Sequence, residues 1–260
     1  MTETEIDKAH ADMSANPEDD AARLRFYERI ADSELYLLLA GEPDGDQVSP
    51  ELFDVKDQKF ALVFDREERL SSFVGRAAPY AGLPGRGLIQ MLDGQDVGLA
   101  LNLEVAPSAM LIPPDAVDWL AETLRNAPEE TQGTLSELRS PGSLPEEVVT
   151  GLDRKLAIAA GLASHAYLAG AVYKEGGVGH ILAFVDARDG AEKALAHAAG
   201  EALTFSGIEA GTIDVMFVSA GDEVADILQR VGLRFDLPVP EQPTLPGAPG
   251  MDPAKPPKLT

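Results

Sequence analysis

At 260 residues the chain is long enough for one large domain or two of ordinary size. Its 44 Asp and Glu against 21 Lys and Arg leave a net charge of −23, which argues against phosphate-neutralising nucleic-acid binding and against docking on anionic lipid. The absence of cysteine excludes disulfides, thiolate-bound metals and a cysteine nucleophile.

The chain opens with "MTETEIDKAHADMSANPEDD", which is acidic and polar and lacks the basic start and apolar centre of a signal peptide. No apolar run approaches the ~20 residues needed to span a bilayer, so a cytoplasmic location is expected. Residues 1–16 read as a flexible acidic arm. A helix is predicted from about Pro17 to Asp32, with Ala22, Phe26 and Ile30 at i, i+4 and i+8 forming its buried stripe. "ELYLLLAGE" reads as a buried strand ended by the turn signal "PDGD". "ELFDVKDQKFALVFD" reads as a hairpin through "KDQK". Asp65 is placed to cap the next helix, with Glu68 at the capping-box position, and Leu70, Phe73 and Val74 facing inward.

"GLPGRGLIQMLDGQDVGLALNL" reads as two short strands around "DGQD". After "LIPP" a helix is predicted over about Asp115–Asn126, with Val117, Leu120, Ala121 and Leu124 on its apolar face and Trp119 flanking it. Residues 127–144, rich in Pro, Gly, Ser and Thr, read as a linker. Ser143 and Glu146 resemble a capping box opening a helix that runs to about Leu162. Strands at 165–173 and 179–185, a helix over 190–204, the strand "GTIDVMFVS" and the helix "DEVADILQRV" follow.

Each half therefore reads helix, strand, strand ending in Asp, helix, strand, helix. Ser33, Tyr36 and Leu37 match Ser164, Tyr167 and Leu168, and Asp65 matches Asp186. The fold class expected is α+β: two mixed-sheet domains, residues 17–126 and 145–236, with internal duplication and chance likeness both open as explanations of the repeat. Residues 237–260 form a Pro-rich tail. Its Pro240, Pro243, Pro246 and Pro249, spaced by three, match one face of a polyproline II helix, but the tail is read as unstructured.

No catalytic, cofactor-binding or metal-ligating residues are identified. The "GLPGRG" loop is expected to open a strand rather than the helix that a phosphate cradle requires. "EGGVGH" is expected to be a hairpin turn that leaves His165 and His180 too far apart to share a metal. No G-x-S-x-G nucleophile motif occurs. Four residues remain as candidates for ligand or partner contact: Arg86, an exposed cation in an acidic protein; Asn102, an amide ending an apolar strand; Trp119; and Asp214, a lone charge within a strand. For Asn102 and Asp214 a structural role competes with a ligand-facing one.

"RLRFYERIADSELYLLLAG", "GRGLIQMLDGQDVGLALNLE" and "LIPPDAVDWL" resemble the amino-terminal domain of the SseB family, named for enhanced serine sensitivity. "HAYLAGAVYKEGGVGHILAFVD", "LTFSGIEAGTIDVMFV" and "VGLRF" are similar to its carboxy-terminal domain. The chain departs from the family's frequent L-N-P-G at "LNLE", residues 101–104. The resemblance implies a bacterial cytosolic protein of two α+β domains and implies no reaction. Two functions follow as expectations: a non-catalytic adaptor or regulator that binds another protein, or a small-molecule sensor or enzyme with a polar pocket near Arg86, Asn102 or the linker.

Overall fold

The structure is a computed structural model, and it describes residues 2–42, 48–126, 133–142, 144–174, 176–207 and 213–238. The "PDGD" turn, Ser143, much of the expected linker and the spaced prolines of the tail lie outside the described residues.

The first half runs α1 (Glu5–Ala15), α2 (Asp20–Asp32), β1 (Glu34–Leu38), β2 (Leu52–Val55), β3 (Gln58–Phe64), α3 (Glu67–Val74), β4 (Tyr80–Pro84), α4 (Gly85–Leu92), β5 (Val97–Leu101), β6 (Met110–Ile112) and α5 (Pro114–Arg125). Its sheet has the order β4-β1-β3-β5-β6, with β2 also paired to β3. Strand alternation sends Leu35, Leu37, Val63, Leu99 and Leu101 to one face. There α2, α4 and α5 cover them with Phe26, Ile30, Leu88, Ile89, Val117, Leu120 and Leu124. Among the described residues, the helix on the opposite face, with Leu38, Phe60, Leu62 and Phe64, is the short α3, packed through Leu70, Phe73 and Val74.

The second half runs β7 (Leu135–Arg139), α6 (Glu146–Ile158), β8 (His165–Tyr173), β9 (Val178–Val185), α7 (Glu192–Ser206), β10 (Ile213–Val218), α8 (Glu223–Val231) and β11 (Leu233–Asp236). Its sheet order is β10-β9-β8-β11, with β7 also on β8. The chain is thus α+β with two mixed sheets. Helices α6 and α7 cover one face of the second sheet, and α8 packs on the other.

The two sheets share a central arrangement. In each, an antiparallel pair (β1 with β3, β8 with β9) is followed by a parallel neighbour (β5, β10). Leu37 and Leu168 point to the more heavily covered face, while Tyr36 and Tyr167 point to the other. The middle strand is tied off alike: the Asp65 amide donates to Asn102 Oδ1 at 3.1 Å, and the Ala220 amide donates to Asp186 Oδ1 at 2.9 Å.

Several expectations are corrected. Residues 5–15 of the expected arm are a helix, because Thr4 and Asp7 form a capping box and Ile6, 1% exposed, joins the first core. "GRGLIQML" is α4 rather than a strand, since Leu88, Ile89 and Leu92 share one helical face. Gly85 begins that helix because its backbone lies against α2, where a Cβ would stand 1.9 Å from the Ile30 carbonyl oxygen. Asp65 does not cap α3; its N-cap is Arg66, and Asp65 instead binds Arg69 and Thr4. Residues 135–139 of the expected linker are β7, and Leu237, expected in the tail, is buried in the second core. Of the "EGGVGH" segment, Glu175 lies outside the described residues, and Gly176 and Gly177, both at positive φ, stand between the paired strands β8 and β9 as expected.

Candidate functional site

The structure distributes the four candidates over four separate places. Arg86 is drawn into a seam between the halves. From the first turn of α4 it donates to Asp32 Oδ1 at 2.7 Å and reaches across to Glu201 of α7 at 3.1 Å. Lys155 of α6, 3% exposed, completes the seam, with Nζ at 2.7 Å from Asp32, 2.8 Å from Glu201 and 3.4 Å from Glu28. Arg29 pairs with Glu28 at 2.6 Å. Three carboxylates, Glu28, Asp32 and Glu201, thus face three cations, Arg29, Arg86 and Lys155. Burial opposes the charge of Glu201, but hydrogen bonds from Arg86 and Lys155 outweigh it and hold its carboxyl below the usual range. Beside the seam, α1, α2, α6 and α7 enclose a cleft of about 340 Å³. Its apolar wall includes Phe205, and Glu28 Oε1 and Arg29 Nε, both on its lining, make no hydrogen bond.

Asn102 takes the structural role. It is fully buried at positive φ, accepts from the Asp65 amide, and donates through Nδ2 to Ser108 Oγ at 3.0 Å. Ser108 donates to Asp7 of α1, which also accepts from Arg69. Arg69, 2% exposed, holds Asp65 as well, at 2.8 Å. This network fastens α1 to the first sheet. Burial opposes ionisation of Asp7, yet hydrogen bonds from Arg69, Ser108 and the Thr4 amide hold its carboxyl well below the usual carboxylate range.

That depression has a sign. Because Asp7 titrates lower in the folded chain than in the unfolded one, its contribution is full above an unfolded value of about 4 and fades as pH falls below it. Urea midpoints measured at pH 6 and at about pH 3 should therefore converge less steeply in Asp7→Asn than in the wild type. Equal acid losses in both chains would contradict the assignment.

Asp214, on the edge strand β10, accepts a hydrogen bond from the Tyr173 hydroxyl. Burial and that bond push the Tyr173 hydroxyl up to about 12. His165 and His180 lie five positions apart along the β8–β9 ladder, about 17 Å at strand rise, and His180 Nε2 contacts the Pro141 carbonyl at 2.9 Å. The "GLPGRG" segment ends β4 and opens a helix after all, but the Gly85 amide is already bonded to the Ser33 carbonyl at 2.7 Å.

Trp119 differs from the other three. It is 40% exposed on α5, with its ring 5.8 Å from that of Tyr27 on α2. Between the two helices lies a groove of about 430 Å³ with Leu24, Tyr27 and Ala116 along it and Asp20, Arg23 and Asp115 at its rim. Burial, with Asp115 nearby, raises the Tyr27 hydroxyl above its ordinary value.

Glu28, Arg69, Lys155 and Glu201 were not singled out from sequence. Each sits in an apolar stripe: Lys155 follows Leu152 by three, Glu201 precedes Phe205 by four, and Arg69 precedes Phe73 by four. A charge on a buried face was the available signal.

Among the described residues no group of three or more His, Cys, Asp or Glu is placed to hold a metal ion. No helix among them is long and apolar enough to cross a membrane. Residues 6–119 match the family model described as SseB protein N-terminal domain; the match runs from α1 into α5 and stops short of the second half. No curated protein and no solved structure matches the chain. The matched segment contains every strand of the first sheet, so the expected resemblance of the first half to the SseB N-terminal domain is supported, while the second half has no match of its own.

Proposed function

We propose that the protein is a non-catalytic adaptor or regulator of the cytosol that acts by binding another protein. The observation that carries this reading is Trp119. A large aromatic ring held 40% exposed over Tyr27 and rimmed by charge has the make-up of an interface anchor. Arg86, Asn102 and Asp214, by contrast, have their polar groups engaged inside the protein.

The test is site-specific photocrosslinking in the living host cell, with Trp119→p-benzoylphenylalanine in the full chain and Val178→p-benzoylphenylalanine as a more exposed control. One defined protein captured at position 119, absent at 178 and displaced by excess wild-type chain, is the expected result. No capture at 119, or the same products at both positions, would overturn the reading. The cleft beside Glu28 and Arg29 favours a second reading, small-molecule sensing, since about 340 Å³ suits a small ligand.

A further inference from the structure

We propose that the groove beside Trp119 receives a lysine- or arginine-rich extended segment of the partner protein, so this inference rests on the adaptor reading above. Helical spacing fixes the chemistry of the surface around the ring. Asp115 lies four residues before Trp119 and Glu122 three after it, so both carboxylates flank the indole on one face of α5. Both are exposed, and among the described residues neither forms an ion pair. The cation at this rim, Arg23, is taken up by Asp20. The groove therefore offers an indole face, an apolar floor of Leu24, Tyr27 and Ala116, and the Asp115 carboxylate at its rim, with Glu122 just beyond it on the same face of α5, neither of them neutralised by a side chain among the described residues.

A long basic side chain satisfies all three features at once. Its methylene stem covers apolar surface, its cation is attracted to the indole face, and its head reaches the flanking carboxylates. The net charge of −23 favours a basic segment at longer range and opposes a second copy of the chain as occupant. The chain's own tail, residues 239–260, brings no such advantage, because Lys255 and Lys258 are offset by Glu241 and Asp252. Nucleic acid is excluded by the same sign of charge.

Trp119 is the only tryptophan of the chain, so its fluorescence reports on this groove alone. The full-length protein is titrated with an eight-residue peptide alternating arginine and leucine, and with a glutamate–leucine counterpart. A saturable 1:1 change in emission is expected for the first peptide and none for the second. The double variant Asp115→Asn, Glu122→Gln should weaken binding about tenfold, the size expected for losing two exposed charge contacts. The double variant Glu67→Gln, Glu68→Gln, which removes the same charge from the start of α3, should leave affinity unchanged.

Equal weakening by both double variants would mean unspecific attraction and would overturn the proposal, as would no binding or binding of the acidic peptide. A chain ended after Pro238 whose emission differs without any peptide would place the protein's own tail in the groove and would also overturn it. If position 119 captures a partner but the basic peptide does not bind, the adaptor reading stands and this inference alone fails.

Discussion

Lys155→Ala is expected to destabilise the protein by about 3–5 kcal/mol, the cost of removing one member of a buried ionic cluster. Lys155 is 3% exposed and its ammonium lies within 3.4 Å of Glu28, Asp32 and Glu201. It also sits over the Phe205 ring at 5.6 Å. Without it, the three carboxylates are left with Arg29, with Arg86, which is 40% exposed, and with His197, whose Nε2 lies 3.0 Å from Glu201. Most of the loss is the penalty of buried charge left unbalanced. Lys155→Met, which keeps the volume, should therefore cost nearly as much as Lys155→Ala. Combining Lys155→Met with Glu201→Gln should recover part of the loss, since a neutral pair strands less charge. Urea denaturation followed by far-UV circular dichroism measures all three. A loss below about 1 kcal/mol for Lys155→Ala would show that the seam does not hold the halves together in solution.

Arg69→Ala is expected to be of similar size, about 3–5 kcal/mol, for the same physical reason at a different place. Arg69 is 2% exposed and is shared between Asp7 of α1 and Asp65 at the end of β3. Its removal leaves two carboxylates together and a side-chain-sized void. Arg69→Lys should rescue only part of the stability, because one ammonium cannot reproduce the fork that serves both acids. Hydrogen exchange separates the two predictions. Arg69→Ala should release the amides of α1 first, whereas Lys155→Ala should release those of α2, α6 and α7 along the seam. Uniform exchange throughout the chain in both variants would contradict the assignment of each network to its own junction.

Local pattern made much of this protein legible. The stripe Ala22, Phe26, Ile30 marks α2, and Val117, Leu120, Ala121, Leu124 mark α5, because burial at helical spacing needs no knowledge of the partner surface. The "KDQK" turn was readable for a similar reason: Lys56 and Asp57, both at positive φ, close a two-residue hairpin whose strands supply their own partners. The amino-terminal part of the family resemblance was carried by segments of this kind and falls within the match over residues 6–119, whereas the segments resembling the carboxy-terminal domain, within residues 165–235, lie outside it.

Where the structure departs from expectation, the deciding partner is distant in sequence. The short strands β4, β6, β7 and β11 have little pattern of their own and exist because an edge was available to pair with. Helix α1 looked like a charged arm because a strongly acidic segment buries only Ile6 and Asp7, and the cation that makes Asp7 tolerable lies 62 residues away. Arg86 looked like a free cation for the same reason, since Glu201 is 115 residues further on. The sequence by itself determined the α+β class, most of the helices, the β2–β3 and β8–β9 hairpins and the place of Trp119 flanking an apolar helix face. Only the tertiary structure decided which charges are buried and with what they pair, because an ion inside a protein is stable only against a partner that folding brings to it.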